Sequence, residues 1–470
     1  MFFLPKLEQI QRTIKTETAF SGLDNRPGAS DDSLSDCCGI SASGFPVLTA
    51  CNPRVKQTGT PGDGCDLLSP DGHEMLEIPG GGQPVVSRFF AADGSPAQAS
   101  ITLENGESIL AAACFLGDLV ILAQKSDSIR LVRFNSAGAQ TQSVDMTALL
   151  GSPPFGSIGM LTYRNRLMIY QNDALHIGYY GSLEDWEKYT EDSDALKPLA
   201  AQKLLMPGRS FTCGILYKSR PVFFQKDAMY LLYQEKKPFE LVKAADIGCI
   251  NPRTAAVCNG VLYFLSEGGV MAYAGSGIPV PVSQKLPLLS DRLAQSGACG
   301  FDGTYYIGEF SYDSTSGEWT KLWEPLENGA VAAACSYGGK IYFLDKADNS
   351  AAIYRYDPVR FDQTAAPVPW HFTTQELYET EPGKKKLSAI AFRVQPEQNV
   401  SLSVSVSADS GEWQTLFEGT ITHADAQELR VRIPPCEHYR LRFEGMGKLT
   451  IPYIRRIYRI IPDGKIHPFL

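Results

Sequence analysis

A chain of 470 residues, 44% hydrophobic, 10% aromatic and 20% charged, is long enough for two or three cores or one large all-β architecture, and its composition excludes a disordered polymer. A net charge of −9 disfavours a generally cationic nucleic-acid binder. The 42 Gly and 30 Pro imply many turns.

The chain begins MFFLPKLEQIQRTIK, which lacks the order of basic residues, apolar run and small-residue cleavage site of a signal peptide. No later apolar run approaches the roughly 18–20 residues that cross a bilayer. The eleven Cys are an odd number without CxxC spacing, Cys37 and Cys38 being merely adjacent. Reduced thiols, assembly in a cytoplasm and no membrane partner are therefore expected.

Residues 1–84 read as an irregular arm. RPGASDDSLSD, TGTPGDGCDLLSPDG and IPGGGQP break every apolar cluster with turn-forming residues. IPGGGQP runs into VVSRFF, a strand pattern, so a phosphate loop feeding a helix is excluded by context.

From Val85 to residue 376 the text becomes short β-branched and aromatic runs. Six of them share a turn between a small-residue run and an apolar one: AACFLGDLVILA, MLTYRNRLMIY, GILYKSRPVFF, AAVCNGVLYFL, ACGFDGTYYIG and AACSYGGKIYFL. The turn residues Gly117, Asn165, Ser219, Gly260, Gly303 and Gly339 are 48, 54, 41, 43 and 36 residues apart, around the period of roughly 40–50 for one four-stranded propeller blade. Several copies add a second strand with alternating apolar residues, as in DSIRLVRF, DALHIGYY, DAMYLLYQ, GGVMAYAG and AAIYRYDP. A lone hairpin cannot bury its apolar face, whereas radial stacking buries every face and leaves no long free edge. The pattern predicts a roughly six-bladed β-propeller over 85–376. Cys114, Cys258, Cys299 and Cys335 precede their turns at differing offsets among small residues, which suits buried structural thiols better than a metal or redox set.

After DPVRFDQTAAPVPW the repeat stops, and the polar TEPGKKKL leads into LSAIAFRV, VSLSVSVSAD, EWQTLFEG, QELRVRIP, HYRLRFEG and IPYIRRIYRII. Six alternating strands over 377–470 predict a β-sandwich, so the fold class is all-β throughout.

Chemistry is sparse. His73, His176, His371, His423, His438 and His467 are scattered, without the close spacing of a zinc site. The turn SADSGEW, Ser407–Trp413, is one residue short of a sialidase Asp-box and stands in the sandwich; DSTSGEW, Asp313–Trp319, matches only in part. Closure of a hairpin by Asp and Gly explains both. Pairs such as Asp31 with Asp32 and Glu184 with Asp185 read as solvated carboxylates. No catalytic, cofactor-binding or metal residue is assigned, and no enzyme activity or cofactor is expected.

One charged constellation is defined. From Leu377 onward 13 Lys/Arg face 11 Asp/Glu, a balance of +2 that leaves −11 over residues 1–376. Arg430, Arg432, Arg440, Arg442, Lys448, Arg455, Arg456 and Arg459 fall in one stretch with only Glu437 and Glu444 against them. Arg430 with Arg432, and Arg440 with Arg442, have the i, i+2 spacing of one strand face. If the strands are neighbours they form a basic stripe, readable as a docking face for an acidic protein or phosphate backbone, or as a solvated sheet face, the reading favoured here.

The arm AFSGLDNRPGASDDSLSDCCGISASGFPVLTACNPR, through Gly22, Leu23, Asp24, Pro46, Val47, Leu48 and Arg54, resembles the beginning of structural proteins of tailed phages and prophages of Gram-positive bacteria. It departs at CCGIS, where an Asn-Leu-Ser-like segment is usual, and at ACNPR, where more Arg is usual. The unit GCINPRTAAVCNGVLYFLSEGGVMAYAG is similar, through Gly248, Pro252, Gly260, Phe264, Leu265, Gly269 and Tyr273, to one common in propeller proteins of phage tails, nozzles and DNA-stabilising plugs. The resemblance implies a non-enzymatic virion protein, assembled in the host cytoplasm as a homo-oligomeric ring of the tail, nozzle or head-tail connector. Other virion proteins would be its partners, and DNA would at most pass by it. Two alternatives stand beside it: a carbohydrate-binding or glycan-cleaving propeller, and a cellular propeller scaffold.

Overall fold

The computed structural model describes residues 12–42, 48–57, 65–71, 74–79, 85–92, 95–186, 201–206, 209–233, 239–286, 293–324, 326–348, 350–379 and 383–461. The chain divides into two compact units. The larger is Arg54–Gly308 with Pro325–Asp357; the smaller is Met1–Pro53, Glu309–Glu324 and Pro358–Leu470.

The larger unit is a β-propeller. Among the described residues it holds six complete four-stranded antiparallel sheets, spanning residues 66–102, 108–145, 158–205, 211–245, 256–281 and 329–356, the last taking its fourth strand from Arg54–Lys56. The strands Ala298–Phe301 and Thr304–Ile307 form a further hairpin in series between the fifth and last sheets. Each interface along the series is apolar. Leu76, Val86 and Ile101 pack on Leu119, Ile121 and Phe134; Ala113, Phe115 and Leu122 on Leu167 and Ile169; Tyr163, Met168 and Tyr170 on Phe211 and Phe223; Cys213, Val222 and Phe224 on Leu262 and Phe264. Aromatic contacts continue the series, Tyr263 stacking on Tyr305 at 5.0 Å and Tyr306 meeting Phe343 at 6.3 Å. The ring closes where Ala333, Cys335, Leu344 and Ile353 of the last sheet bury Cys65, Leu67 and Met75 of the first.

The six aligned turns are two-residue hairpins, and both central residues have positive φ at each: Leu116–Gly117, Arg164–Asn165, Lys218–Ser219, Asn259–Gly260, Asp302–Gly303 and Gly338–Gly339. That backbone matches the right-handed twist of the flanking strands. The first sheet escapes the alignment because its inner strands, Asp66–Leu68 and Met75–Ile78, are six residues apart in sequence instead of two. The series thus has seven inner hairpins where the turns alone count six.

The unit spanning residues 248–275 is stitched to its neighbours. A Cβ on Gly248 would lie 2.0 Å from the Gln225 carbonyl oxygen, so only glycine lets the backbones meet. Pro252–Thr254 forms one 3₁₀ turn, with the Asn251 side chain accepting from the Arg253 N–H. The fully buried Thr254 donates its hydroxyl to Asn251 O (2.6 Å) and accepts from Leu265 N (3.1 Å), and its carbonyl accepts from Tyr305 Oη (2.8 Å). Arg253 reaches further. It donates Nη1 to Asp66 Oδ1 (2.6 Å), Nη2 to Asp66 Oδ2, and Nη1 to Ala332 O (3.4 Å), tying the fifth sheet to the first and the last.

The smaller unit is a β-sandwich. One sheet runs Ile40–Ser41, Leu48–Ala50, Leu449–Ile461, Lys384–Pro396, Asp425–Arg430, with Thr13–Glu17 also on Leu449–Ile461. The other runs Leu34–Cys38, Pro369–Thr374, Tyr439–Met446, Val400–Ala408, Gln414–Ile421. Phe443 joins the layers, stacked on Phe372 at 4.8 Å and edge-on to Phe392 at 5.2 Å. All six strands expected in 377–470 are present.

The boundaries differ from expectation at the front. Residues 1–84, expected as an irregular arm, supply strands to both units, the smaller taking those up to Ala50 and the larger those from Arg54. These strands have two to five residues, and Thr13–Glu17, Leu34–Cys38, Leu48–Ala50 and Arg54–Lys56 pair far along the chain, so they leave no local periodicity. Likewise Pro369–Thr374, expected in the propeller segment, is a sandwich strand. The glycines of IPGGGQP fall outside the described residues.

Two outcomes are expected. Gly260→Val, whose Cβ meets no neighbour, should cost about 1–2 kcal/mol through its left-handed backbone alone, with Gly260→Asn close to wild type; equal urea midpoints for the Val and Asn variants would contradict this. Arg253→Met should lower stability by roughly 1–3 kcal/mol by leaving Asp66 uncompensated, partial solvent access keeping it below a fully buried pair. In a double-mutant cycle with Asp66→Asn the two losses should be strongly non-additive.

Candidate functional site

The seven arginines proposed for docking do not form one stripe. Arg430 ends a strand of the six-stranded sheet and Arg432 lies just beyond it, whereas Arg440 and Arg442 sit on Tyr439–Met446 of the other sheet. The two i, i+2 pairs are therefore separated, because Asp425–Arg430 pairs with Lys384–Pro396 while Tyr439–Met446 pairs with Pro369–Thr374 and Val400–Ala408. Arg442 Nε faces Glu444 Oε2 at 3.1 Å, and Arg440 lies over the Trp413 ring at 5.4 Å. Lys448 gives its ammonium to Ala50 O, and burial pushes its pKa down.

Arg456 is a structural group. Its side chain faces the core between the sheets and is 1% exposed. Nη2 donates to Glu17 Oε1 (2.9 Å), and Nε is 3.1 Å from Glu379 Oε1, which also accepts from Tyr439 Oη (2.6 Å). Lys15 completes the cluster, 3.1 Å from Asp31 and 3.7 Å from Glu379. Burial works against the Arg456 charge, but Tyr439 and the carboxylates Glu379, Glu17 and Asp31 outweigh it and raise its pKa.

Register assembles a different basic surface. On the six-stranded sheet, Arg455 is opposite Ala391 and Thr16, and Ala391 is opposite Glu428; the next rung on that face aligns Arg430, Ala389 and Ile457. Arg459 is opposite Lys386, with Lys384 two residues earlier, and Arg393 stands two residues beyond Ala391. These six cations, Lys384, Lys386, Arg393, Arg430, Arg455 and Arg459, are all exposed, while the alternate residues Lys385, Ile390, Phe392 and Arg456 are buried. None of the six has a carboxylate within ion-pair distance among the described residues. Arg455 spends its Nε on Thr16 Oγ1 (3.2 Å) and lies over the Tyr453 ring. Glu428 is the acidic residue on these rungs. Three of the predicted arginines thus belong to the surface; Lys384 and Lys386 were missed because KKK reads as a polar linker until its strand pairs with Arg459, and Arg393 because spacing within LSAIAFRV does not say which strand lies alongside.

The other sequence candidates are locally engaged. Asp31 bonds Lys15 and Asp32 accepts from Ser21. Glu184 accepts from Gln142, and Asp185 from Ser182. Among the described residues no group of three or more His, Cys, Asp or Glu is arranged to hold a metal ion. Cys258, Cys299 and Cys335 are buried and Cys114 partly so, and all eleven cysteines are free thiols. Burial pushes the Cys335 thiol up to about 12.

No family model and no curated protein matches the chain. Solved structures with a similar trace include YCF48 bound to D1 peptide (10% identity, 65% of this chain and 94% of that one, TM-score 0.38). The AfRom2 CNH domain is 11% identical over 57% of this chain and 94% of its own, with TM-score 0.32. A glycoside hydrolase is 9% identical over 84% and 100%, with TM-score 0.28. At these identities and scores they carry no argument about function.

The two classes of arginine should separate in stability measurements. Arg456→Met is expected to destabilise the sandwich by about 3–5 kcal/mol, since Glu379 and Glu17 keep their charges without the guanidinium. Arg430→Gln and Arg459→Gln should stay within about 0.5 kcal/mol. Equal losses in a chemical-denaturation series would refute the division.

Proposed function

We propose that the protein is a non-enzymatic virion structural component of a tailed phage or prophage, built as a homo-oligomeric ring into the tail, nozzle or connector. The observation that carries this reading is the exposed basic sheet face, whose six cations have no carboxylate within ion-pair distance among the described residues. The likeness of the arm and of residues 248–275 to phage structural proteins supplies the class of assembly. A solvated surface usually intersperses charges of both signs evenly, so a face with six cations and Glu428 on an acidic protein favours an acidic partner surface. The larger unit carries 24 Lys/Arg against 29 Asp/Glu, so a second copy offers a surface of the complementary sign. Contact of one patch with a different patch on the next copy is the geometry that generates rings.

Negative-stain microscopy and sedimentation of the concentrated protein test the reading. Rings or higher oligomers are expected at low salt, and they should weaken as salt screens the pairs. The triple change Arg430→Glu, Arg455→Glu, Arg459→Glu should yield folded monomer. A strictly monomeric wild-type protein, absent from purified particles, would overturn the proposal.

A further inference from the structure

Three segments of the smaller unit meet at one end of its five-stranded sheet: residues 375–379, the turn at 409–413 and residues 437–440. Leu377 and Ala408 both face Tyr439 in register, which fixes the convergence. Two large aromatic side chains stay exposed there, Tyr378 at 50% and Trp413 at 37%. Each is held by a polar neighbour. Tyr378 packs on the His438 ring at 4.9 Å and donates its hydroxyl to Glu376 Oε2 (2.9 Å), while Trp413 lies under the Arg440 guanidinium.

Hydrogen-bonding groups accompany them. Ser410 Oγ is 3.2 Å from both Glu376 Oε1 and His438 Nε2. The shielded Nε of Arg440 has no hydrogen-bond partner. The hydroxyl bond from Tyr378 holds the Glu376 carboxyl below its ordinary range, so it stays ionised near neutrality. Glu437 and Asp409 act on the Tyr378 hydroxyl, Asp409 being half exposed.

The chemistry narrows what such a surface binds. Serine, histidine and carboxylate invite a nucleophile reading, but His438 Nδ1 is 3.7 Å from Asp409 Oδ1, beyond hydrogen-bond distance. That oxygen already accepts the N–H groups of Glu437 (2.7 Å) and His438 (3.2 Å). An anionic ligand meets Glu376, Asp409 and Glu437. A purely apolar one would desolvate those carboxylates without hydrogen-bonding them. A neutral sugar satisfies both constraints: its hydroxyls donate to carboxylate oxygens, and its C–H faces cover exposed aromatic rings. We propose that this cluster of Tyr378, Trp413, Glu376, Asp409, His438 and Arg440 is a binding site for a neutral oligosaccharide. The inference stands apart from ring formation, since it concerns another sheet end and other residues.

The full-length protein is tested on an array of neutral gluco-, galacto-, manno- and N-acetylglucosamine oligosaccharides beside sialylated and uronate-containing ones, followed by titration with the best binder. Binding to a neutral oligosaccharide is expected, weakened about tenfold or more by Trp413→Ala and by Tyr378→Ala. The change Ile278→Ala, at an exposed site of the larger unit, should leave it intact. Near-ultraviolet circular dichroism confirms that the variants keep their fold. Binding of acidic glycans alone, no binding at all, or binding that survives both aromatic changes would overturn the proposal.

Discussion

An antiparallel sheet in a ring has two apolar faces, and each must be covered by a neighbour. The last sheet has none ahead of it in the chain, so the design depends on the buried contact of Ala333, Cys335, Leu344 and Ile353 with Cys65, Leu67 and Met75. The same sheet is completed by Arg54–Lys56, which pairs with Tyr354–Tyr356 and adds Arg54 Nη1 to Asp345 at 2.6 Å. Closure is thus noncovalent and made by residues almost three hundred positions apart. At about 25 cal/mol per Å² of buried apolar area, each covered face contributes stability that an isolated hairpin lacks. The Arg253–Asp66 pair adds a strut between sheets that are not consecutive.

Much of this was readable in the chain, and the reasons are local. The turns at Gly117, Asn165, Ser219, Gly260, Gly303 and Gly339 are visible because a two-residue turn with both φ positive restricts which residues serve there. The first sheet stayed hidden because six residues, not two, separate its inner strands. The alternation in residues 384–461 is equally visible, since one face of each long strand is buried. Strands such as Arg54–Lys56 and Thr13–Glu17 were not legible, as their partners lie hundreds of residues away. Short strands defined by long-range pairing carry almost no pattern of their own.

The arginines show the limit in another way. Spacing of i, i+2 establishes that two side chains share a face, but not which strand lies alongside. Arg430 and Arg440 parted because their strands joined different sheets, while Lys386 met Arg459 through register alone. Arg455 and Arg456, adjacent in sequence, project to opposite sides, one to solvent and one into a network with Glu17 and Glu379. The exposed cluster around Trp413 was half visible, since SADSGEW reads as a turn. Nothing in the sequence placed Tyr378 and His438 beside it.

The pairing of Thr13–Glu17 with Leu449–Ile461 also has a meaning in time. Arg456 and Glu17 are 439 residues apart, and at about 5–20 residues per second a ribosome needs on the order of 20–90 s to make that interval. For that period the early strand waits without its mate while the closed ring, complete once Tyr356 has emerged, is free to form. The smaller unit is finished after the larger one during synthesis, and an interrupted nascent chain leaves Thr13–Glu17 without its partner strand while the propeller has already folded.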